Sequence, residues 1–417
     1  MRLCVHRTLA LAACVVFGCG EPAPPEAPAS APPAPEIPLE PPPTPPRLGL
    51  WVLCEGSQRV LEHPDRVPAL VDTALALGAT DLFVQVYRGG RAWFDSSYAD
   101  ALPYELALAA QETDPLARLL DLAHAADLRV HAWVNALSLA SNRNAPVLEA
   151  LGPAAVSVDR RGRSILEFPG LELPAPDSQF LRMGTPAVWL DPAAPGVEDW
   201  LASAFAELAR NYPSLDGIHL DYIRYPDVLP FTPGSRFRVG LDFGYGSASR
   251  ARFERETGLR APTSESGRNG DAWDQWRRDR VSDLVAAIRA RASAVSPGIA
   301  LSAAVTAYPE RAYLSLYQDW RGWLDEGLLD FATVMLYTRD DRLLRYEANA
   351  YAGGVGGDRV WIGLGAWLFA AQPERAVLQL EAARDVGAAG QALFSYDAIA
   401  EAPELRAALV AEAQRGR

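Results

Sequence analysis

The sequence LDGIHLDYIRYP at residues 215–226 decides the fold and holds the leading candidate for a functional residue. Its segment Gly217–Asp221 is short, apolar and bounded by turn-forming residues, which is typical of a buried parallel strand. Since alternate side chains of a strand share a face, His219 and Asp221 are predicted to point the same way. A carboxylate at the end of a buried strand costs desolvation energy, which favours a functional role for Asp221.

Short apolar segments alternate with amphipathic segments on both sides of this strand. Such alternation predicts parallel strands joined by right-handed crossovers, and eight strand–helix units predict an α/β fold, the closed (β/α)₈ TIM barrel. An open doubly wound sheet is the alternative, although no glycine-rich phosphate turn follows the first strand. The predicted strands are Leu48–Leu53, Asp81–Tyr87, Arg129–Asn135, Gly217–Asp221, Ile299–Thr306, Phe331–Tyr337, Val360–Leu364 and Ala392–Tyr396. The predicted helices are Pro64–Leu77, Asp114–Ala126, Val197–Asn211, Trp273–Val295, Arg311–Gly327, Arg342–Ala350, Pro373–Val386 and Glu401–Gln414.

Two long insertions interrupt this alternation within the predicted barrel domain at residues 47–417. The first, Ala136–Gly196, follows the third strand, and the second, Tyr222–Asp271, follows the fourth. Both begin at the C-terminal ends of strands, which is the side on which barrel enzymes build their active sites. We therefore expect both insertions to contribute to a site around Asp221.

Polar and aromatic side chains lie at or just beyond the ends of several predicted strands. Such groups can hydrogen-bond to sugar hydroxyls or stack on sugar rings, although each could also belong to ordinary core or loop packing. His131, Trp133 and Asn135 share one strand face, which predicts a polar upper lumen. The predicted substrate-binding residues are Gln85, His131, Asn135, Tyr222, Arg224, Tyr337, Asp340 and Trp367.

A pair of carboxyl groups is the usual requirement for glycoside hydrolysis, and one of them has a raised pKa. Asp221 is expected to act as the nucleophile or as the base toward water. Glu55, at the end of the first strand, is the first candidate for the second catalytic group, followed by Glu310 and Asp340. The alternative is structural: Asp221 could pair with Arg224 or cap a loop, and the other acids could be solvated.

Other chemistries have less support in the sequence. His131, His219 and Asp221 could converge on neighbouring strands, but no His-x-His or His-Glu-x-x-His spacing occurs, so we predict no metal and no cofactor. A Ser-His-Asp triad lacks its Gly-x-Ser-x-Gly turn. The formal net charge is −13 and no basic patch is interleaved with aromatic residues, so nucleic acid is not an expected partner.

The N-terminal residues are predicted to direct export and anchoring. Residues 1–18 combine arginines with a short apolar run, as in a secretory signal, and Cys19 follows in a context that resembles the bacterial lipobox. The resemblance implies lipid attachment at Cys19 and, because Gly20 follows, the outer membrane of a Gram-negative cell. Residues 19–46 are rich in proline and predict an extended tether. Cys54 is the one cysteine beyond them, so it is predicted to be a buried apolar residue without a disulfide.

The stretch at residues 216–226 resembles the fourth-strand signature of the bacterial glycosyl hydrolase-like family 10, a barrel family with many lipoprotein members. The resemblance covers nearly everything from Leu48 to the end of the chain, and further matching segments occur in the same order as in the family. They are FVQV at 83–86, HAWVN at 131–135, WLDP at 189–192, QDWRGWL at 318–324 and GLLDF at 327–331. The chain departs from the family pattern at Tyr222, where many members carry a second consecutive acid. It departs again at 89–91, where Gly-Gly-Arg replaces the usual Arg-Gly-Asp.

This resemblance implies hydrolysis of glycosidic bonds, with Asp221 at the family's fourth-strand acidic position. Lipoprotein relatives include enzymes that cut peptidoglycan glycan strands stripped of their peptides. A cell-envelope polysaccharide is therefore the expected substrate, and the lipid anchor is the one expected contact with the membrane. A catalytically inactive barrel that binds glycan is the alternative function, and an enzyme acting on another polysaccharide is a third.

Overall fold

The computed structural model describes residues 47–415, except 232–240, 264–265 and 355, and these described residues belong to one compact unit. Eight parallel strands form a sheet that closes on itself, because the first strand pairs with both the second and the eighth. The predicted (β/α)₈ barrel is therefore confirmed. Its strands are β1 (Arg47–Val52), β2 (Asp81–Arg88), β3 (Arg129–Asn135), β4 (Gly217–Asp221), β5 (Ala300–Thr306), β6 (Phe331–Met335), β7 (Val360–Gly365) and β8 (Gly390–Phe394).

Helices cover the outside of the barrel and fill parts of its insertions. They are α1 (Val67–Leu77), α2 (Leu102–Gln111), α3 (Pro115–His124), α4 (Pro146–Leu151), α5 (Val197–Asn211), α6 (Ser247–Thr257), α7 (Gly270–Val295), α8 (Pro309–Ser315), α9 (Trp320–Asp325), α10 (Asp341–Ala352), α11 (Pro373–Asp385), α12 (Tyr396–Glu401) and α13 (Pro403–Arg415). The single helix predicted at Arg311–Gly327 is two helices, because Tyr317 adopts a left-handed backbone with φ of 55° between them. No described helix is long and apolar enough to cross a bilayer.

Large and small side chains alternate inside the lower lumen. The rings of Trp51 and Phe83 fill space left by glycines: a β-carbon on Gly363 would lie 2.9 Å from Trp51, and one on Gly49 would overlap Phe83. Trp51, Phe83 and Trp361 belong to a separate buried cluster enclosed by the strands. The lumen is thus packed solid below, as expected for an eight-stranded barrel, and open space is left toward its C-terminal end.

A buried ionic cluster closes the N-terminal end of the lumen. Asp81 at the start of β2 is fully buried, and its carboxylate accepts from Arg129 Nε at 3.0 Å and from Arg47. His131 Nε2 lies 3.0 Å from Asp81 Oδ1. Burial alone would raise the pKa of Asp81, but the bonds from His131, Arg47 and Arg129 outweigh it and hold the pKa well below its usual range.

The two insertions pack against each other where they leave β3 and β4. Their short strands Leu181–Met183 and Val228–Pro230 form an antiparallel ribbon. Asp191, from the WLDP segment, accepts hydrogen bonds from Tyr225 Oη at 3.0 Å and from Ser249 Oγ at 2.7 Å. The buried Asp191 therefore joins the first insertion to both halves of the second. The predicted signal, the Cys19 anchor and the tether lie outside the described residues.

Candidate active site

Asp221 ends β4 opposite Asn135 of β3, at the upper limit of the lumen. Its Oδ1 accepts a hydrogen bond from the backbone N–H of Tyr222 at 2.7 Å, and its Oδ2 accepts one from Trp133 Nε1 at 3.2 Å. Tyr222 takes a left-handed backbone with φ of 52°, which is uncommon for a residue with a bulky side chain. The carboxyl group is therefore held in one orientation by two donors and by a strained turn.

Burial gives Asp221 an unusual proton affinity. The residue is 7% exposed, and this burial raises the pKa of its carboxyl group to about 6. The N–H of Tyr222, the charge of Arg224 and the indole of Trp133 act in the opposite direction without cancelling it. Asp221 thus exists in both protonation states near neutral pH, which suits a group that exchanges protons.

A cavity of about 180 Å³ opens beside this carboxyl group. It is smaller than the roughly 300–1,000 Å³ typical of sites for drug-sized ligands, so it suits one ring of a longer chain. Asp221 is the one carboxylate among the described residues that line it. The lining residues are Trp51, Leu53, Gln85, Arg88, Trp133, Asn135, Asp221, Tyr222, Arg224, Ala304, Met335, Tyr337 and Phe394.

Two side-chain amides form a hydrogen-bonded pair in the cavity wall. Gln85 Nε2 donates to Asn135 Oδ1 at 3.2 Å, while Gln85 Oε1 accepts from Cys54 Sγ at 3.1 Å. These bonds use the carbonyl oxygens of both amides and assign the NH₂ group of Asn135 as the donor left for a ligand. Cys54 itself is buried, and this burial raises the pKa of its thiol well above the usual value.

Tyr337 and Phe394 line the cavity and contact Trp367, which is not one of its lining residues, and these three aromatic residues are called the rim below. Trp367 is 42% exposed and lies edge-on to Tyr337, with ring centroids 4.9 Å apart, and 5.5 Å from Phe394. Burial and the charge of Asp221 raise the pKa of Tyr337 well above its usual value, so its phenol remains a hydrogen-bond donor at neutral pH. The rim therefore offers both a stacking surface and a donor to a saccharide.

The other predicted acids do not line the cavity. Glu55 is held by Arg88 Nε at 2.9 Å and by Arg91 Nη2 at 2.5 Å. Asp340 is the N-cap of α10, where its Oδ1 accepts two backbone N–H bonds. Glu310 is exposed in the first turn of α8. We therefore remove Asp340 and Glu310 from the site and reassign Glu55 as the counter-ion that positions Arg88.

The two lumen histidines also stand apart from the cavity. His131 belongs to the Asp81 cluster at the N-terminal end, so the expected contact between His131 and substrate is corrected to a structural role. His219 Nδ1 lies 2.8 Å from Ser302 Oγ, and its ring stacks on Phe83 with centroids 4.3 Å apart. Burial lowers the pKa of His219 well below its usual value, which keeps the ring neutral. Within the described residues no group of three or more His, Cys, Asp or Glu could hold a metal ion.

Comparison with known proteins identifies the family to which this chain belongs. The family model described as "Glycosyl hydrolase-like 10" matches residues 49–350, which is most of the chain. The protein belongs to the glycosyl hydrolase-like 10 family. Among curated relatives, glycosyl hydrolase DigH of Escherichia coli K12 is 25% identical over 307 residues, covering 67% of this chain and 60% of its own length. Glycosyl hydrolase YngK of Bacillus subtilis is 24% identical over 298 residues, covering 67% and 50% respectively.

Solved structures similar to this family member share its barrel. The catalytic domain of β-amylase from Paenibacillus polymyxa superposes with a TM-score of 0.54 at 14% identity, over 88% of this chain and 98% of that one. The β-galactosidase from the psychrophilic Marinomonas ef1 gives 0.55 at 13% identity, over 88% and 59%. At these identities the similarity shows the fold alone. This chain spans about 60% of DigH and 50% of YngK, the curated relatives described above.

Replacing Glu55 by glutamine tests its reassignment in this family member. We expect kcat/KM to fall by less than about fivefold, because a part-exposed ion pair contributes at most about 1 kcal/mol. Loss of a catalytic acid or base would instead cost roughly 10²–10⁴-fold. Arg88→Gln is the matched variant. Its kcat/KM should fall by a similar, small factor, through a higher KM and not through a lower kcat. A loss in kcat for Glu55→Gln as large as that for Asp221→Asn would restore Glu55 as the second catalytic group.

Proposed function

We propose that this glycosyl hydrolase-like 10 protein is a glycosidase that cleaves a cell-envelope polysaccharide, with peptide-free peptidoglycan glycan as the leading candidate substrate. The observation that carries the proposal is the buried carboxyl group of Asp221 beside a cavity sized for one sugar ring. Amide, indole and phenol groups around it match the hydroxyls and faces of a saccharide. The relatives DigH and YngK are both named glycosyl hydrolases, which supports the same class of reaction for this chain.

In this proposal Asp221 acts as the general acid, because its pKa is raised. The sequence predicted a nucleophile or a base at this position, and a carboxylate nucleophile is best served by a low pKa. A pKa of about 6 favours a carboxylic acid that donates its proton to the glycosidic oxygen as the bond to the anomeric carbon breaks. Tyr337 and the NH₂ group of Asn135 would hold hydroxyls of the same ring.

The composition of the cavity wall also bears on the substrate. With Asp221 assigned as the acid and no second carboxylate among the described lining residues, we expect the attacking group to be water or part of the substrate. Some glycosidases use the substrate's own 2-acetamido oxygen to attack the anomeric carbon, which replaces a protein nucleophile. Peptidoglycan glycan carries such acetamido groups. This match supports an N-acetylated glycan over a neutral glucan.

The place of action is proposed from the N-terminal residues. A signal at residues 1–18, lipid attachment at Cys19 and the tether at 19–46 would present the barrel to the cell wall from the outer membrane. A polysaccharide of that compartment is then the accessible substrate.

An assay of new reducing ends tests the proposed activity. The purified full-length chain, kept in detergent, would be incubated with peptide-free peptidoglycan strands, intact peptidoglycan and a glucan without acetamido groups. We expect reducing ends from the peptide-free strands and few or none from the glucan. Binding of the strands without release of reducing ends would contradict the proposal and favour the inactive glycan-binding barrel.

The pH dependence of the reaction tests the role of Asp221. If it is the general acid, kcat/KM should fall as the pH rises through an apparent pKa near 6, because deprotonation removes the donor. Tryptophan fluorescence across the same range would verify that the protein stays folded. A rise in kcat/KM through the same pKa would show that the carboxylate form is active, as a nucleophile or base.

A further inference from the structure

Arg224 is a buried cation in the wall of the cavity. It is 9% exposed, and its guanidinium lies over the rings of Trp189 at 5.2 Å and Tyr222 at 5.5 Å from the ring centroids. Its one hydrogen bond to the part of the chain that the structure describes runs from Nη1 to the backbone oxygen of Tyr225 at 3.3 Å. No carboxylate of the described residues forms an ion pair with it.

The partners of three other arginines provide a comparison for Arg224. The fully buried Arg277 is bound by Asp242 and Asp274, both at 2.7 Å, and Arg88 on the same cavity wall is bound by Glu55 at 2.9 Å. Arg278 has no acid partner, but its two Nη atoms donate to a backbone oxygen and a glutamine oxygen away from the cavity. Arg224 differs from all three because most of its donors have no partner among the described residues and because the residue lines the cavity.

The nearest acid does not neutralise Arg224 during the proposed reaction. Arg224 lowers the pKa of Asp221, so the two groups sense each other, yet burial outweighs this effect and raises the pKa to about 6, which leaves a protonated fraction to act as the acid. A protonated Asp221 carries no charge, and Glu55, the carboxylate paired with Arg88, is shared with Arg91 and so leaves no charge over for Arg224. The reactive form of the cavity therefore has a net positive charge, carried by Arg224. A buried charge without a counter-ion is costly, which favours a ligand that supplies one.

We propose that Arg224 binds a free carboxylate on the substrate, so that the enzyme selects acidic saccharides. The inference rests on the proposed glycosidase function and names its substrate class. Stacking on Trp189 and Tyr222 fixes the plane of the guanidinium, whose fork of N–H donors matches a carboxylate in two parallel bonds. The lactyl group of peptide-free peptidoglycan carries such a carboxylate, which an attached peptide converts into a neutral amide. Uronic acids are the other common source of the same chemistry.

Carboxyl reduction of the substrate tests this selectivity. Peptide-free strands and the same strands with their carboxyl groups reduced to alcohols would be compared by kcat/KM, using the full-length chain. We expect the wild type to prefer the acidic strands by about 10–100-fold, the range for a hydrogen bond to a charged group. In Arg224→Gln the ratio of the two kcat/KM values should fall toward one, and Arg224→Lys should restore part of it. Arg278→Gln, a buried arginine away from the cavity, should keep the wild-type ratio.

The outcomes separate this inference from the function on which it rests. If the wild type cuts neither substrate, the proposed glycosidase function fails. If it cuts both equally well, or if Arg224→Gln keeps the preference for acid, the glycosidase stands and the role of Arg224 is overturned. Should Arg224→Gln not fold, the wild-type ratio and Arg224→Lys still decide. If a glycan that contains uronic acid is cut with the same dependence on Arg224, carboxylate recognition is supported. The carboxylate that Arg224 binds would then belong to a uronic acid and not to the lactyl group.

Discussion

Asp221→Asn is expected to lower kcat for glycan cleavage by roughly 10²–10⁴-fold, the range for loss of a general acid or base. The amide keeps the size of the side chain, and its one oxygen can still accept from the N–H of Tyr222, while its NH₂ group replaces the oxygen that accepted from Trp133. It has no acidic proton to give to the leaving oxygen. Release of reducing ends from peptide-free strands measures the loss. Asp340→Asn, at the exposed N-cap of α10, is the control and should leave kcat close to that of the wild type.

The same substitution should stabilise the fold at neutral pH. The pKa of Asp221 is about 6 in the folded protein, against a usual 3.8, so ionising this buried group costs free energy. The contribution of Asp221 to the free energy of unfolding is fully present below about pH 4 and is lost as the pH rises through 6. The total loss is at most about 3 kcal/mol. Asn avoids this cost, so its advantage in denaturant unfolding should grow from pH 4 to pH 7. An active variant, or one destabilised at pH 7, would contradict the account of a buried catalytic acid.

Asp81→Asn is expected to have the largest effect on stability, about 3–5 kcal/mol at pH 7, because it leaves His131, Arg47 and Arg129 around a neutral group. Since the cluster lies at the N-terminal end of the lumen, activity per folded molecule should change little. Urea unfolding and the reducing-end assay measure the two properties separately. Arg129→Gln removes one part-exposed member of the cluster and should cost much less, about 1 kcal/mol or below.

The pH dependence of the Asp81 effect has the opposite sign to that of Asp221. The folded state lowers the pKa of Asp81, so its contribution is present above the unfolded value near 4 and is lost as the pH falls through the folded value. The difference in stability between wild type and Asp81→Asn should therefore narrow on acidification below about pH 4. A difference that is constant from pH 3 to pH 7, or below about 1 kcal/mol throughout, would show that the ionic cluster does not hold the barrel closed.

Much of the barrel could be predicted from local patterns. The predicted bounds of β3, β4 and α5 agree with the structure, because each segment has a clear period and a sharp chemical boundary. Helix α2 was not predicted, since Leu102 and Leu106 are exposed and give its sequence no amphipathic face. The break at Tyr317 was also missed, because a left-handed tyrosine has no strong signature in sequence.

The site was predicted in part for the same kind of reason. The positions of the strand ends and the alternation of side chains along each strand predicted that Gln85, Asn135, Asp221 and Tyr337 point into the same barrel lumen. In the structure all four residues line one cavity. The pairing of Glu55 with Arg88 depends on where two loops meet in space, and no local pattern reports it. Met335 and Phe394 were not singled out in the sequence, although alternation along β6 and β8 could have pointed to both.

Cleavage in water enriched in oxygen-18 tests the central claim most directly. Full-length protein would act on peptide-free peptidoglycan strands at pH 6, and mass spectrometry would examine the new ends. Hydrolysis with Asp221 as the acid predicts one oxygen-18 atom in each new reducing end from the wild type, and almost no such ends from Asp221→Asn. Unlabelled anhydro ends, or labelled ends formed equally well by Asp221→Asn, would contradict it.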